Sequence, residues 1–139
     1  MRIMKVFLSH SHADSRLAAK VTAALRTQGL DVWDPNAHLL PGDNWAAEVA
    51  RALEQSQAMV VLLTPNAVRS THVKREIEFA LGAKSYSNRL IPVMVGDKTR
   101  IPEREIPWIV RRLPHFQLND SGGGDSEVER IASAIRRHA

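Results

Sequence analysis

At 139 residues and 15.5 kDa the chain has room for one domain around one core, and not for two. It has no cysteine, which excludes a disulfide framework and a thiolate metal site, and its 44% hydrophobic and 24% charged residues exclude a disordered or membrane-embedded class. The net charge of +4 is modest. The basic residues of "REIPWIVRR" and "RIASAIRRHA" are not interleaved with aromatics, so they read as solvated faces rather than a nucleic-acid groove.

Taken in chain order, strands and helices alternate. "IMKVFLS" is an apolar run rich in β-formers, as expected of a strand buried on both faces, and it breaks abruptly into Ser9-His10-Ser11-His12. Asp14 is placed to cap a first helix carrying Leu17, Val21, Ala24 and Leu25 on one face and closed by Gly29. "LDVW" is a short second strand, and "DPNAHLLPGD" a turn-rich segment. Asp43 or Asn44 then caps a second helix with Trp45, Val49, Ala52 and Leu53 on its core face. "AMVVLLT" is the clearest buried strand. A third helix is expected from Thr71 to Lys84 with Val73, Ile77, Ala80 and Leu81 inward. "RLIPVMV" is a fourth strand in which Pro92 suggests a bulge or an edge. A loose stretch with Pro102 and Pro107 precedes a weak fifth strand, "HFQL", and "DSGGGDS" connects to a last amphipathic helix over about 125–138.

Five β-α units in series imply a parallel sheet with helices on both faces. The expected architecture is a flavodoxin-like three-layer sandwich of strand order 2-1-3-4-5, forming a single domain over 1–139. Such sheets bind ligands outside the carboxyl ends of the strands where the order reverses, between the first and third strands. The end of "VFLSHSHAD" therefore lies at the expected crevice.

Several chemistries of this architecture do not match the residues. A phosphoacceptor receiver needs acids after the first strand and an Asp ending the third, where Ser9-His10-Ser11 and Thr64-Pro65-Asn66 stand instead. There is no Walker A motif, no G-x-G-x-x-G and no G-x-S-x-G elbow. His10, His12 and Asp14 lack a clear further ligand, so a polar loop is a better reading than a metal site, and no metal is expected. No apolar run approaches the roughly 18 residues of a membrane span, and Met1 to Met4 lead into no signal peptide. A cytoplasmic setting is expected, with no membrane or nucleic-acid partner.

Three segments in register carry a family resemblance. "VFLSHSHAD" resembles the F-[IL]-S-[YH] strand with a following Asp that opens Toll/interleukin-1 receptor (TIR) domains. "LLPGDNWAAEVARALEQS" is similar to the P-G-D-x-W segment at the BB loop of bacterial and plant members. "VVLLTPNAVRSTHVKREIEFAL" resembles their third strand and the S-x-x-[CV]-x-x-E helix start. The order holds over essentially the whole chain, as in bacterial-type TIR domains. Some members are scaffolds that assemble TIR to TIR; others cleave the nicotinamide-ribose bond of NAD+, giving nicotinamide and ADP-ribose or a cyclic ADP-ribose. The resemblance thus implies an NAD+ glycohydrolase or ADP-ribosyl cyclase activated by self-association, in bacterial immune or anti-phage signalling. A non-enzymatic TIR-TIR interaction module is the alternative. NAD would be substrate, with no cofactor, and other TIR proteins are possible partners.

By motif the essential glutamate falls on Glu76. At about 100° per residue, His72, Glu76, Phe79 and Ala83 form a stripe flanking the apolar face, with Glu76 at its margin and Glu78 turned to solvent. A carboxylate there stabilises an oxocarbenium-like ribosyl cation, and nicotinamide leaves as a neutral molecule, so no second acid is needed. Read without the resemblance, Glu76 is better taken as a helix-face acid paired with His72 or a neighbouring base. Phe7, Ser9 and His10 would line the pocket floor, with core packing the competing reading for Phe7. Asp43 and Trp45 would contact substrate or, respectively, cap and pack their helix. Leu39, Leu40, Pro41 and Gly42 form the BB loop, a flap over the nucleotide and a surface for assembly, with Leu40 also facing substrate. His72 takes the place of a Trp that some active members carry, which removes an aromatic wall. His115-Phe116 stands where animal members have F-W.

Overall fold

The computed structural model describes residues 3–35, 42, 44–83, 89–96, 101–119 and 124–137. Five parallel strands, β1 Lys5–Ser9, β2 Asp31–Trp33, β3 Ala58–Leu63, β4 Leu90–Val95 and β5 Phe116–Leu118, form one sheet in the order β2-β1-β3-β4-β5. The order reverses between β1 and β3, as the sequence pattern predicts. Among the described residues, five α-helices connect or follow them: α1 Ser15–Thr27, α2 Trp45–Gln55, α3 Thr71–Gly82, α4 Trp108–Arg111 and α5 Asp125–Arg137.

The strands' two-residue alternation divides the interior into two cores. Val6 and Leu8 of β1 face the layer of α1 and α5, packing with Leu25, Ile131 and Ile135. Phe7 faces the opposite layer of α2, α3 and α4, packing with Leu53, Met59, Ile77 and Val110. Ser9 shares the parity of Phe7, so its side chain turns to the α2–α3 layer. Phe7 has no exposed surface and stacks on Trp33 with ring centroids 5.3 Å apart. Its place is the core, not a pocket floor, because its parity buries it a full residue pair below the strand end.

Local signals set most helix ends. Gly29, at φ +87°, closes α1, its N–H bonding the Arg26 carbonyl while the Leu30 N–H reaches back to Leu25. That pairing is a Schellman closure, and the left-handed conformation it needs suits glycine. Asn44 caps α2 by accepting from the Ala47 N–H, and Ser70 caps α3 by accepting from the Val73 N–H. Asp14 does not cap α1. Its carboxylate instead accepts from Thr64 Oγ1 at 2.6 Å and from Asn66 Nδ2 at 3.3 Å, tying the end of β1 to the end of β3.

Three further expectations need correction. Pro92 makes no bulge: the register runs unbroken through Val61↔Pro92 to Leu62↔Val93. Met59 donates to the Arg89 carbonyl, so alternation turns the backbone of Pro92 away from β3, to the side where β5 pairs only from Val93 onward. The missing N–H therefore costs no ladder bond. Leu81 is 43% exposed, whereas Glu76 is 5% exposed beside Val73, Ile77 and Ala80. At about 100° per residue the burial of Glu76 rotates the inward arc of α3 away from Leu81. The loose stretch before β5 also holds a 3₁₀ turn at Glu103–Glu105 and α4, whose Val110 is fully buried. α3 is described to Gly82, and Lys84 lies outside the described residues.

Because Phe7 fills the α2–α3 core and stacks on Trp33, Phe7→Ala should cost about 3–5 kcal/mol of unfolding free energy in urea titration. A loss below about 1 kcal/mol would show that the site is not packed as described.

Candidate active site

β1, α2 and α3 converge at the carboxyl end of the sheet on a cavity of about 440 Å³. Each of the three elements contributes what its end exposes. The turn after β1 brings His12, the first turn of α2 brings Trp45 and Ala46, and α3 presents His72, Arg75, Glu76 and Phe79. Those four side chains span an arc of roughly 100° on α3, which is one face of the helix. Pro35, Val49 and Leu53 complete the wall.

Glu76 is the acid of this cavity and is buried between α3 and the end of β1. The Ser9 hydroxyl donates to its Oε1 at 2.7 Å. Burial pushes the carboxyl up to about 7, against the downward pull of the Ser9 hydrogen bond and of the charge on His10. The acid is thus poised near neutral pH, in the range expected of a functional carboxyl.

His10 turns away from the cavity. Its Nδ1 donates to the Ser11 carbonyl at 2.8 Å, and its Nε2 lies 2.7 Å from Asp34 Oδ1 at the end of β2. Both partners accept, so both ring nitrogens carry protons and the ring is an imidazolium. Burial alone lowers its pKa, but the Asp34 hydrogen bond, the Ser11 carbonyl and the charges of Asp34 and Glu76 outweigh it and hold the value above the usual histidine range. His10 and Asp34 form a buried ion pair whose positive member sits near Glu76.

His72 is fixed by two bonds. Its Nε2 donates to the His10 carbonyl at 3.0 Å, and its Nδ1 lies 2.9 Å from the Ser70 hydroxyl, which caps the same helix. The His12 ring lies 4.6 Å from that of His72 and 5.8 Å, edge-on, from that of Trp45. Three aromatic rings therefore line the mouth of the cavity.

Of the residues expected at the site, Glu76, His72 and Trp45 line the cavity directly. Ser9 and His10 act through Glu76 and α3 without lining it, and Phe7 lies in the core. Trp45 is 43% exposed and does not pack in the core, its ring lying at the cavity against His12. Gly42 has φ +93°, a conformation that suits glycine, and nothing lies within contact of where its side chain would stand. Leu39, Leu40, Pro41 and Asp43 lie outside the described residues. His12 and Arg75 were not among the expected site residues. His12 reads as loop in the sequence, and Arg75 is hidden by a helical wheel centred on apolar positions.

Residues 6–137 match a family model described as TIR domain. No curated protein matches the sequence. A metazoan TIR-STING receptor from C. gigas, solved in complex with 2',3'-cGAMP, superposes with a TM-score of 0.75 at 22% identity, over 94% of this chain and 38% of that one. This chain thus spans well under half of that protein. The TIR domain of the Toll-related receptor TRR-2 from Hydra magnipapillata superposes with a TM-score of 0.64 at 17% identity, over 81% and 82% of the two chains. The TIR domains of the activated Roq1 resistosome, which recognises the effector XopQ, do so at 0.59 and 19%, over 96% and 82%. At these identities the likeness is one of fold.

The burial of Glu76 has a consequence for stability. The unfolded chain ionises this carboxyl near 4.5 and the folded chain near 7, so between those values the folded state holds the extra proton. Its contribution is therefore lost as pH rises from 4.5 to 7, by on the order of 3 kcal/mol. Glu76→Gln keeps an acceptor for Ser9 and removes the charge. It should unfold several degrees above the parent chain at pH 8 and near it at pH 5, by thermal melts followed with circular dichroism. A variant less stable at pH 8 would contradict the assigned burial.

Proposed function

The chain belongs to the TIR domain family, and on that premise we propose that it cleaves the nicotinamide-ribose bond of NAD+ with Glu76 as the catalytic residue. The observation that carries the reading is a buried carboxyl, held by Ser9 and open to the cavity, on the position the family motif marks.

The chemistry asks little of the protein beyond charge and enclosure. The C1′–N bond breaks with its electron pair going to the pyridine nitrogen, so nicotinamide leaves neutral and the ribosyl carbon is left cationic. An ionised Glu76 stabilises that cation in a site where apolar Val49, Leu53 and Phe79 keep the local dielectric low. Water then adds to C1′ and releases a proton, giving ADP-ribose. If a ring nitrogen of the adenine adds instead, the product is cyclic. The aromatic mouth of His12, His72 and Trp45 offers planar surfaces to a heteroaromatic ring. Ser9 orients the carboxylate, and the His10–Asp34 pair holds the strand end that carries Ser9.

Self-association through TIR-TIR contacts, with Leu39, Leu40, Pro41 and Gly42 at the contact, is the proposed trigger. Its setting is bacterial immune or anti-phage signalling in the cytoplasm. Among the described residues no helix is long and apolar enough to cross a membrane. The Roq1 structure, of TIR domains within an activated resistosome, supports assembly as a mode of action for this fold.

Concentrated protein incubated with NAD+ should release nicotinamide, measured by chromatography, and Glu76→Ala should lower the rate by on the order of 100-fold or more. Release that persists unchanged in Glu76→Ala, or none at any concentration, sinks the enzymatic reading. Concentration-dependent association without turnover, lost on substituting Gly42, would favour the interaction-module alternative. Because the ionised carboxylate is the active form, kcat/KM should rise with pH through about 7 and level off above it. A flat profile between pH 5 and 9 would remove Glu76 from the chemical step.

A further inference from the structure

We propose that Arg75 is the anion-recognising residue of the cavity, engaging a phosphate one ribose away from the reacting carbon and so selecting dinucleotides over unphosphorylated nucleosides. The proposal deepens the NAD+ reading and rests on it.

Arg75 lines the cavity beside Glu76 and is exposed. It is the only arginine or lysine among the described lining residues, as Glu76 is the only acid. Arg75 has neither an ion pair nor a hydrogen bond among the described residues, a state it shares with surface arginines such as Arg16, Arg104 and Arg112, but of these only Arg75 lines this cavity. A cation that lines the cavity without an ion pair to its acid is free to meet an anion on the ligand. A guanidinium is always charged, and its planar fork suits the paired oxygens of a phosphate.

The spacing also fits. Arg75 and Glu76 are chain neighbours with Cα atoms about 3.8 Å apart, but their side chains leave α3 about 100° apart. The guanidinium therefore leaves the helix in a different direction from the carboxyl, and no ion pair joins the two. An anion held there is kept off Glu76, where like charge would oppose the ionised acid. A ligand spanning both groups needs a sugar at Glu76 and a phosphate beyond it.

The test compares the parent chain with Arg75→Ala and Arg75→Lys, using ADP-ribose by titration calorimetry and NAD+ by turnover. Losing a charge-assisted contact should weaken ADP-ribose binding about 10–100-fold and raise the KM for NAD+ similarly, with kcat within about twofold. Arg75→Lys should recover part of the loss. Binding of nicotinamide riboside, which has the same scissile bond and no phosphate, should not change. Equal ADP-ribose affinity in Arg75→Ala, an equal loss for the riboside, or no ADP-ribose binding by the parent chain overturns the proposal. Arg75-dependent ADP-ribose binding without turnover of NAD+ would leave it standing and sink only the hydrolase reading.

Discussion

The hydrogen bond from Ser9 to Glu76 is the interaction around which this end of the molecule is arranged. A carboxyl placed at 5% exposure against an apolar core is costly to ionise, and no packing alternative offsets that cost. The chain contains it by ending β1 in a small hydroxyl at the parity that faces α3, and by setting a charged histidine next along the strand. Replacing Ser9 with an apolar residue would extend the strand's pattern smoothly and leave the acid without its donor. The polar break in "VFLSH" is therefore what a buried acid on a distant helix requires.

The same requirement spreads outward. His10 is buried and charged, so it needs Asp34 from the end of β2, and Asp34 is itself 2% exposed. A buried pair of this kind contributes little net stability, but removing one partner strands the other. Its value is geometric: it fixes the ends of β1 and β2 to each other. Asp14 does the same between β1 and β3 through Thr64 and Asn66. Three strand ends that flank the switch point are thus laced by side chains where the ladder has run out. The strand ends behind the cavity are tied by polar contacts, while Pro35, Val49, Leu53 and Phe79 give its wall an apolar part.

The fold was largely legible because it is written in periodicities. The all-apolar runs of β3 and β4, the Gly29 closure and the Asn44 cap all act locally, over spans a sequence pattern can hold. The failures share a cause: each residue was assigned by its own segment and decided by another. Asp14 looks like a helix cap until Thr64 and Asn66 compete for it. Trp45 and Leu81 fit the apolar stripes of their helices, yet one lines the cavity and the other is turned out by the burial of Glu76. Glu76 itself was readable as a margin residue and by motif, but its depth was not, because Ser9 lies 67 positions away in the chain. Arg75 is illegible for the opposite reason, since an arginine on a helix is ordinarily solvated and only the cavity beside it makes it more than that.

His72 brings the local and distant arguments together. A tryptophan at that position would supply a larger wall, but its indole only donates and could not also accept from Ser70. Histidine does both, bridging the α3 cap to the His10 carbonyl and so docking the first turn of the helix onto the end of β1. That docking sets the height at which Glu76, one turn later, meets Ser9. The ring surface given up by the smaller side chain is supplied by His12, tilted against it at 4.6 Å, and by Trp45 beyond it. The substitution exchanges one broad wall for a ring cluster drawn from three elements, each anchored at the carboxyl end of the sheet. The aromatic boundary of the cavity is thus kept, and His72 also ties it to the strand end beside the acid.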